Sequence, residues 1–201
     1  LRQRSSGQAG ARMKYASLSD LKDQFDVFLI DQFGVLIDGA GAYDEAVSAL
    51  RFLLDARKTV IILTNSGKRA AHTQARLEGY GFPLANVQVV SSGEVARTLL
   101  AERLQGQSKP LAVWYEAENK SASPLDGLWV RYVNDIRQAE LVMIAGVQSE
   151  TVSLNTYEAV FRHAIGRGVA CICTNPDQQR LTSKGVRFAA GQIATLYQDL
   201  G

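Results

Sequence analysis

The sequence predicts an α/β protein with a Rossmann-like, doubly wound parallel sheet into which a second, smaller α/β domain is inserted. Short apolar runs of strand length alternate along the 201 residues with stretches of helical periodicity. The strand runs are continuously apolar, which is typical of parallel strands covered on both faces. The composition, 46% hydrophobic and 21% charged, is enough to build a core of this kind.

Three strand–helix pairs form the first part of the predicted fold. Each apolar run ends near polar or small residues, and a stretch of helical periodicity follows it. We expect the first run to be a fully buried strand. The predicted strands are FDVFLID (25–31), TVIILTN (59–65) and VQVVSS (87–92), and the helices after them cover 43–57, 68–78 and 94–104.

The second part begins in a polar stretch, 105–125, that contains two prolines. We expect strands at 111–115, 129–133, 140–146 and 169–175, helices at 151–168 and 191–200, and a loop between the last strand and the last helix. We therefore divide the chain into a tail (1–17), the first part of the core (18–92), an inserted domain (93–175) and a return to the core (176–201).

Charge and cysteine content exclude several classes of protein. The formal net charge is only +2, and the basic residues near the N-terminus indicate a solvated tail rather than a nucleic-acid surface. No apolar run reaches the roughly 20 residues of a membrane span, and no signal peptide is evident, so we expect a cytoplasmic protein without a membrane partner. Cys171 and Cys173 alternate along one strand and indicate reduced core thiols. The basic residues are Arg2, Arg4, Arg12 and Lys14.

Polar side chains end two strands that we expect to be neighbours. Asp31 closes the first apolar run, and Thr64 and Asn65 close the second. In open parallel sheets, ligands bind beyond the carboxyl ends of the strands. A carboxylate beside a hydroxyl and free amides is the arrangement that phosphoryl transfer through an aspartyl-phosphate requires. Because the two reactants are both negative, a magnesium ion between them is implied.

Four motifs in this order resemble the haloacid dehalogenase superfamily, and more narrowly its class IIA branch with a large α/β cap. They are D-Q-F-G-V-L-I-D-G, V-I-I-L-T-N-S, V-V-S-S-G-E and C-T-N-P-D. The resemblance implies that Asp31 is the nucleophile and a magnesium ligand, and that the Phe33 carbonyl is a second ligand. It further implies that Thr64, Asn65 and Ser66 bind the phosphoryl group, and that the inserted domain is a cap that closes over the site.

The first departure from the family pattern is Phe33. Phosphatases of the superfamily usually carry an aspartate there, which protonates the leaving oxygen and later activates water. General acid–base help is worth about 10²–10⁴-fold, so a phosphatase without this aspartate should be slow. Asp38 is a candidate replacement, although an aspartate before a glycine is more often a turn former.

The second departure is at the end of the sequence. The family's lysine and its later acidic pair should follow a helix such as GQIATLYQDL, and the sequence stops at Gly201 before either. Lys68 and Lys184 are the available substitutes for the lysine. We therefore expect either a further C-terminal segment or a partner surface, and we expect the sheet as given to leave an apolar edge and face uncovered.

The leading hypothesis is thus a magnesium-dependent phosphatase or phosphotransferase that acts on small phosphorylated metabolites through an aspartyl-phosphate on Asp31. The alternative is a catalytically weak or inactive relative that binds a phosphorylated ligand or a protein partner. A plain nucleotide-binding module is disfavoured because neither glycine-rich phosphate loop motif is present. Assembly into a homo-oligomer is left open.

Overall fold

The computed structural model describes residues 16–182 and 184–201. The N-terminal basic residues Arg2, Arg4, Arg12 and Lys14 lie outside the described residues. The helices are α1 (Leu18–Lys22), α2 (Ala46–Asp55), α3 (Ala70–Gly79), α4 (Ser92–Arg103), α5 (Leu154–Ile165) and α6 (Ala190–Asp199). The strands are β1 (Val27–Asp31), β2 (Thr59–Thr64), β3 (Gln88–Ser91), β4 (Leu111–Glu116), β5 (Val130–Tyr132), β6 (Leu141–Ile144), β7 (Ala170–Cys173), β8 (Gln179–Thr182) and β9 (Gly185–Phe188).

The first sheet is parallel and has the strand order β1-β2-β3. Strands and helices alternate along the chain, as predicted. The helices α2 and α3 pack on one face of this sheet, where Leu50, Leu53 and Leu77 meet Val60 and Ile62 in a buried cluster. These five side chains are at most 1% exposed. The buried side chains on this face therefore form a hydrophobic core.

The other face of the first sheet is uncovered among the described residues, so the prediction that the 25–31 strand is fully buried is wrong. Val27 is 53% exposed, Leu29 62% and Leu63 38%. The physical reason is that α2 and α3 contribute to the same buried cluster, so both helices cover the same face of the sheet. In addition, β1 is an edge strand. The apolar edge and face that we expected to be uncovered are present in the structure.

The second sheet is also parallel and has the order β5-β4-β6-β7. It is covered on both faces, because neighbouring side chains of each strand enter different clusters. On one face Val113 and Met143 pack with Leu100 of α4. On the other face Val142 packs with Phe161 of α5. Helices therefore cover both faces of this second sheet, an arrangement that the sequence analysis predicted for the first sheet.

Helix α6 packs against the second sheet, which corrects the expectation that residues 176–201 return to the first one. Ile193 and Tyr197 belong to the same buried cluster as Phe161, and the Tyr197 and Phe161 rings lie 5.0 Å apart. The Tyr197 hydroxyl donates to the Val169 carbonyl at 2.6 Å. The loop expected before α6 contains the antiparallel hairpin β8–β9. The sequence missed it because these short strands alternate weakly and remain largely exposed.

The two cysteines have the character that the sequence predicts. Both thiols are free and half-buried on β7. Burial raises the pKa of the Cys171 thiol to about 12, and burial likewise raises the pKa of Cys173. Thiols with raised pKa values are poor nucleophiles at neutral pH. None of the helices in the described part of the chain is long and apolar enough to span a membrane.

Helix α6 begins in direct backbone contact with the segment that precedes the hairpin, and this contact supplies a stability prediction. A Cβ on Gly191 would lie 2.1 Å from the Pro176 carbonyl oxygen. We expect Gly191→Ala to destabilise the fold by about 1–3 kcal/mol through this overlap. Gly79→Ala is the control, because nothing lies within 4 Å of its Cβ position at the end of α3. Urea unfolding measures both, and equal midpoints for the two variants would contradict the packing.

Candidate active site

The carboxyl ends of β1 and β2 bring Asp31 and Thr64 together. Asp31 is the last residue of β1 and is in register with Leu63, so Thr64 follows one residue further along the neighbouring strand. The Asp31 side chain is exposed, and its Oδ1 accepts a hydrogen bond from the Gln32 backbone N–H at 2.8 Å. The strand end therefore presents an oriented, solvent-accessible carboxylate.

The loop after β2 folds around Thr64. This side chain is 8% exposed, and its Oγ1 accepts a hydrogen bond from the Ser66 N–H at 3.3 Å. The Ser92 hydroxyl at the start of α4 donates to the Thr64 carbonyl at 3.5 Å. Thr64 thus lies at the carboxyl end of the central strand β2, and the hydrogen bonds of Ser66 and Ser92 fix its position.

Two of the three residues predicted to bind phosphate share a groove with the predicted nucleophile. Asp31, Thr64 and Asn65 line one groove of about 650 Å³, whose walls include the apolar side chains Leu63 and Leu99. Ser66 does not line this groove. Ser66 lines a neighbouring, smaller cavity.

The smaller cavity, about 200 Å³, lies between the loop after β2 and the carboxyl ends of β4 and β6. Lys68 and Arg180 line it together with Asn175, Asp177 and residues 145–147. The connections after β4 and β6 leave the second sheet in opposite directions, because β5 and β7 lie on opposite sides of this pair. In open α/β sheets, ligands bind at the point where neighbouring connections leave the sheet in opposite directions.

Asn65 joins the groove to the cavity. Its Nδ2 donates to Asp177 Oδ2 at 2.7 Å and to Asn175 Oδ1 at 3.2 Å. No role for Asn175 or Asp177 was predicted from the sequence. The available signal was the C-T-N-P-D motif, which repeats the Thr-Asn pair found at the end of β2.

The end of the loop at 64–68 is held against α4 by close backbone contact. A Cβ on Gly93 would lie 2.5 Å from the carbonyl oxygens of Gly67 and Lys68, so only glycine fits there. The Ser91 hydroxyl donates to the Lys68 carbonyl at 2.7 Å and accepts from the N–H of Glu94 at 3.1 Å. The first turn of α4 therefore fixes the backbone at the end of the loop.

An ion pair reinforces this contact. Glu94 Oε2 accepts from Arg69 Nε at 2.7 Å and from the Ala70 N–H at 3.1 Å. The hydrogen bond from Arg69 is the main cause that lowers the pKa of the Glu94 carboxyl. The pair is about one-third exposed, so its contribution to stability is modest, and its geometric effect is to hold the start of α3.

Of the two lysines named as candidates for the role of the family's lysine, Lys68 alone lies in the loop after β2. Its Nζ donates to Ser121 Oγ at 3.1 Å and lies 3.5 Å from His72 Nε2. Burial, followed by the charges of Lys68 and Arg76, lowers the pKa of His72, so this imidazole is neutral at physiological pH. Lys184 instead pairs with Glu150 at 3.6 Å.

Asp38 lies in a turn. Its Oδ1 accepts from the Ala40 N–H at 2.7 Å and from the Gly41 N–H at 3.1 Å. Within the described structure it lines neither the groove nor the cavity. The geometry favours the turn-forming interpretation, and a role for Asp38 in catalysis stays a prediction. Phe33, at the position of the usual acid, is 59% exposed.

The chain offers part of a shell for magnesium. Across the described ranges, no group of three or more His, Cys, Asp and Glu side chains could hold a metal ion. Asp31 and the Phe33 carbonyl are two hard oxygen donors, which suit magnesium in kind, whereas an octahedral ion takes six. These two donors would fill two of the six positions.

The fold and site together define an α/β protein with a candidate nucleophile at the carboxyl edge of a parallel sheet. A family model described as haloacid dehalogenase-like hydrolase matches residues 28–126. The resemblance to the haloacid dehalogenase superfamily that the sequence motifs indicate is confirmed. Among curated proteins, no match to this sequence is found.

Solved structures of related proteins have the same fold. A haloacid dehalogenase-like hydrolase from Brucella suis is 27% identical, with a TM-score of 0.78 over 94% of this chain and 70% of its own. A p-nitrophenyl phosphatase from Archaeoglobus fulgidus is 21% identical, with a TM-score of 0.67 over 88% of this chain and 65% of its own. A glycerol phosphate phosphatase from Mycobacterium tuberculosis is 22% identical, with a TM-score of 0.64 over 90% of this chain and 52% of its own.

The Ser91 hydroxyl gives a testable account of how the loop is held. Ser91→Ala removes a helix N-cap, worth about 1 kcal/mol, and also leaves the Lys68 carbonyl without its partner, for about 1–3 kcal/mol more. Ser153→Ala is the matched control, because Ser153 caps α5 by the same bond and is exposed. Denaturant unfolding should show the larger loss for Ser91→Ala. Equal losses would mean that the bond to Lys68 contributes nothing.

Proposed function

We propose that this chain is a magnesium-dependent phosphatase or phosphotransferase that acts on small phosphorylated metabolites. The observation that carries the proposal is the shared groove of Asp31, Thr64 and Asn65 at the carboxyl edge of the first sheet. The family is a hydrolase family, and two of the related structures are named as phosphatases. Because the chain spans between about half and 70% of these relatives, their activities support the proposal by analogy only.

The proposed reaction uses Asp31 as the nucleophile. One carboxylate oxygen attacks phosphorus, the bond to the leaving oxygen breaks, and a phosphoryl group remains on Asp31. In this proposal the Thr64 hydroxyl and the backbone N–H of Asn65 donate to the phosphoryl oxygens. Donors fixed before the reaction stabilise the transition state without paying for reorganisation.

Magnesium is the proposed cofactor, held by the Asp31 carboxylate and the Phe33 carbonyl. When bound, the ion neutralises charge between the carboxylate and the phosphate dianion. The chain contributes the exposed Asp31 carboxylate, which is oriented by a hydrogen bond of 2.8 Å from the Gln32 N–H.

Replacement of the nucleophile tests the mechanism. We expect Asp31→Asn to lower kcat for p-nitrophenyl phosphate by about 10⁴-fold or more, because the amide cannot form the phosphoryl intermediate. Asp26→Asn is the control. Asp26 lies just before the same strand, is exposed and pairs with Lys58 far from the groove. Circular dichroism checks that both variants fold, and retained turnover in Asp31→Asn would exclude the mechanism.

Removal of the metal is a second test. We expect EDTA to abolish hydrolysis of p-nitrophenyl phosphate and added magnesium to restore it. Because Asp31 is the one carboxylate proposed to ligate the ion, Asp31→Asn should also weaken magnesium binding by about tenfold or more in calorimetry. Hydrolysis that persists after exhaustive chelation would rule out magnesium as the cofactor.

The alternative is a catalytically weak or inactive relative that binds a phosphorylated ligand or a protein partner. The exposed phenyl ring of Phe33 at the usual acid position favours it. Beryllofluoride distinguishes the two functions, because this phosphoryl analogue forms a stable adduct with a competent nucleophilic aspartate. An adduct on Asp31 with magnesium would argue against the alternative.

A further inference from the structure

The proposed reaction leaves one proton transfer without a residue. When the phosphorus–oxygen bond of an alkyl ester breaks, the leaving oxygen must receive a proton, since an alkoxide is a poor leaving group. Phe33 cannot supply a proton, and the Asp38 carboxylate is used by the turn at 38–41. A different acid has to lie within reach of the segment 64–68, called the phosphate loop from here on.

Most other carboxylates near the loop are already committed to ion pairs. Glu94 is bound to Arg69 at 2.7 Å, and Glu118 to Arg180 at 2.7 Å. Asp177 differs from both. Of the carboxylates that the structure describes, it is the one that accepts a hydrogen bond from the loop at 64–68, through Asn65 Nδ2 at 2.7 Å.

The position of Asp177 relative to Asp31 suits an acid. Asp31 and Asn65 line the groove, Asp177 lines the cavity, and the Asn65 side chain joins the two. In phosphoryl transfer the attacking and leaving oxygens lie roughly in line on opposite sides of phosphorus. A phosphoryl group bound at Asn65 and attacked from Asp31 therefore releases its leaving oxygen away from Asp31, toward the cavity that holds Asp177.

The backbone around Asp177 is fixed, whereas its carboxylate retains a free oxygen. The Asp177 N–H donates to Asn175 Oδ1 at 2.9 Å, and the Asp177 carbonyl accepts from the Gly191 N–H at 2.9 Å. Asn65 bonds to Oδ2, and no partner of Oδ1 is found among residues 16–182 and 184–201. One oxygen can thus be positioned by Asn65 while the other carries a proton.

We propose that Asp177 is the general acid and base of the reaction, in place of the aspartate that Phe33 replaces; this inference rests on the proposed function. The protonated Asp177 carboxyl gives its proton to the leaving oxygen as Asp31 bonds to phosphorus and the ester bond breaks. The Asp177 carboxylate then takes a proton from a water molecule whose oxygen attacks phosphorus. Inorganic phosphate leaves, the Asp31 carboxylate is restored, and Asp177 is protonated again.

The test compares two esters of similar shape and different leaving groups. p-Nitrophenolate leaves without protonation, whereas the alkoxide of benzyl phosphate needs a proton. In Asp177→Asn the amide oxygen can still accept the bond from Asn65, but no proton can be transferred. We expect kcat/KM, which reports on the steps up to the first bond cleavage, to fall about 100-fold or more for benzyl phosphate and less than about threefold for p-nitrophenyl phosphate.

Three further variants complete the experiment. Asp177→Glu keeps a carboxyl and should recover part of the activity on benzyl phosphate. Asp199→Asn, an exposed aspartate at the end of α6, is the matched control and should leave both esters unchanged. Asp38→Asn should show no difference between the two esters.

Equal losses for the two esters in Asp177→Asn would overturn the proposal and make Asp177 a residue that only positions Asn65. A loss specific to benzyl phosphate in Asp38→Asn would also overturn it, by assigning the acid to Asp38. Failure of the proposed function is separate. It would appear as wild-type rates that Asp31→Asn does not lower, and the role of Asp177 would fall with it.

Discussion

The close packing of three backbone segments around the phosphate loop is the constraint on which the site depends. A Cβ on Gly67 would lie 2.3 Å from the Ala145 carbonyl at the end of the second sheet, and a Cβ on Gly93 would lie 2.5 Å from the Gly67 carbonyl. The loop is therefore enclosed between the second sheet and the first turn of α4. Side chains of the loop gain a fixed direction because its backbone has no room to move.

This enclosure explains why the site draws on both sheets. The first sheet contributes Asp31 and Thr64 by strand register alone, which needs no long-range contact beyond the pairing of β1 with β2. The second contributes Asn175 and Asp177, which reach Asn65 across more than a hundred residues of sequence. The chemistry at the edge of one sheet thus depends on how tightly the other is docked.

The order of the main strands and helices and the Asp31–Thr64 pair could be predicted from the sequence, because local periodicity and strand-end position determine them. The ends of the elements could be predicted less well, since the helix expected at 151–168 spans Leu154–Ile165. The exposure of Val27 and Leu29 could not, since an apolar run does not reveal which face lacks a cover. The packing of α6 depends on tertiary contacts of Ile193 and Tyr197 that no local pattern encodes. The same holds for Asp177, whose contact with Asn65 depends on the docking of the two sheets.

The alternation along β1 has a consequence for the dielectric environment of the candidate nucleophile. Val27, Leu29 and Asp31 occupy alternate positions of one strand and are all exposed, so the carboxylate shares a face with the uncovered apolar side chains. Any surface that shields Leu29 from water also reduces the polarisability of the medium around Asp31. Coulomb energies there rise severalfold as the effective dielectric constant falls from about 80 toward about 20. The solvation of the apolar face and the reactivity of the Asp31 carboxylate are therefore coupled.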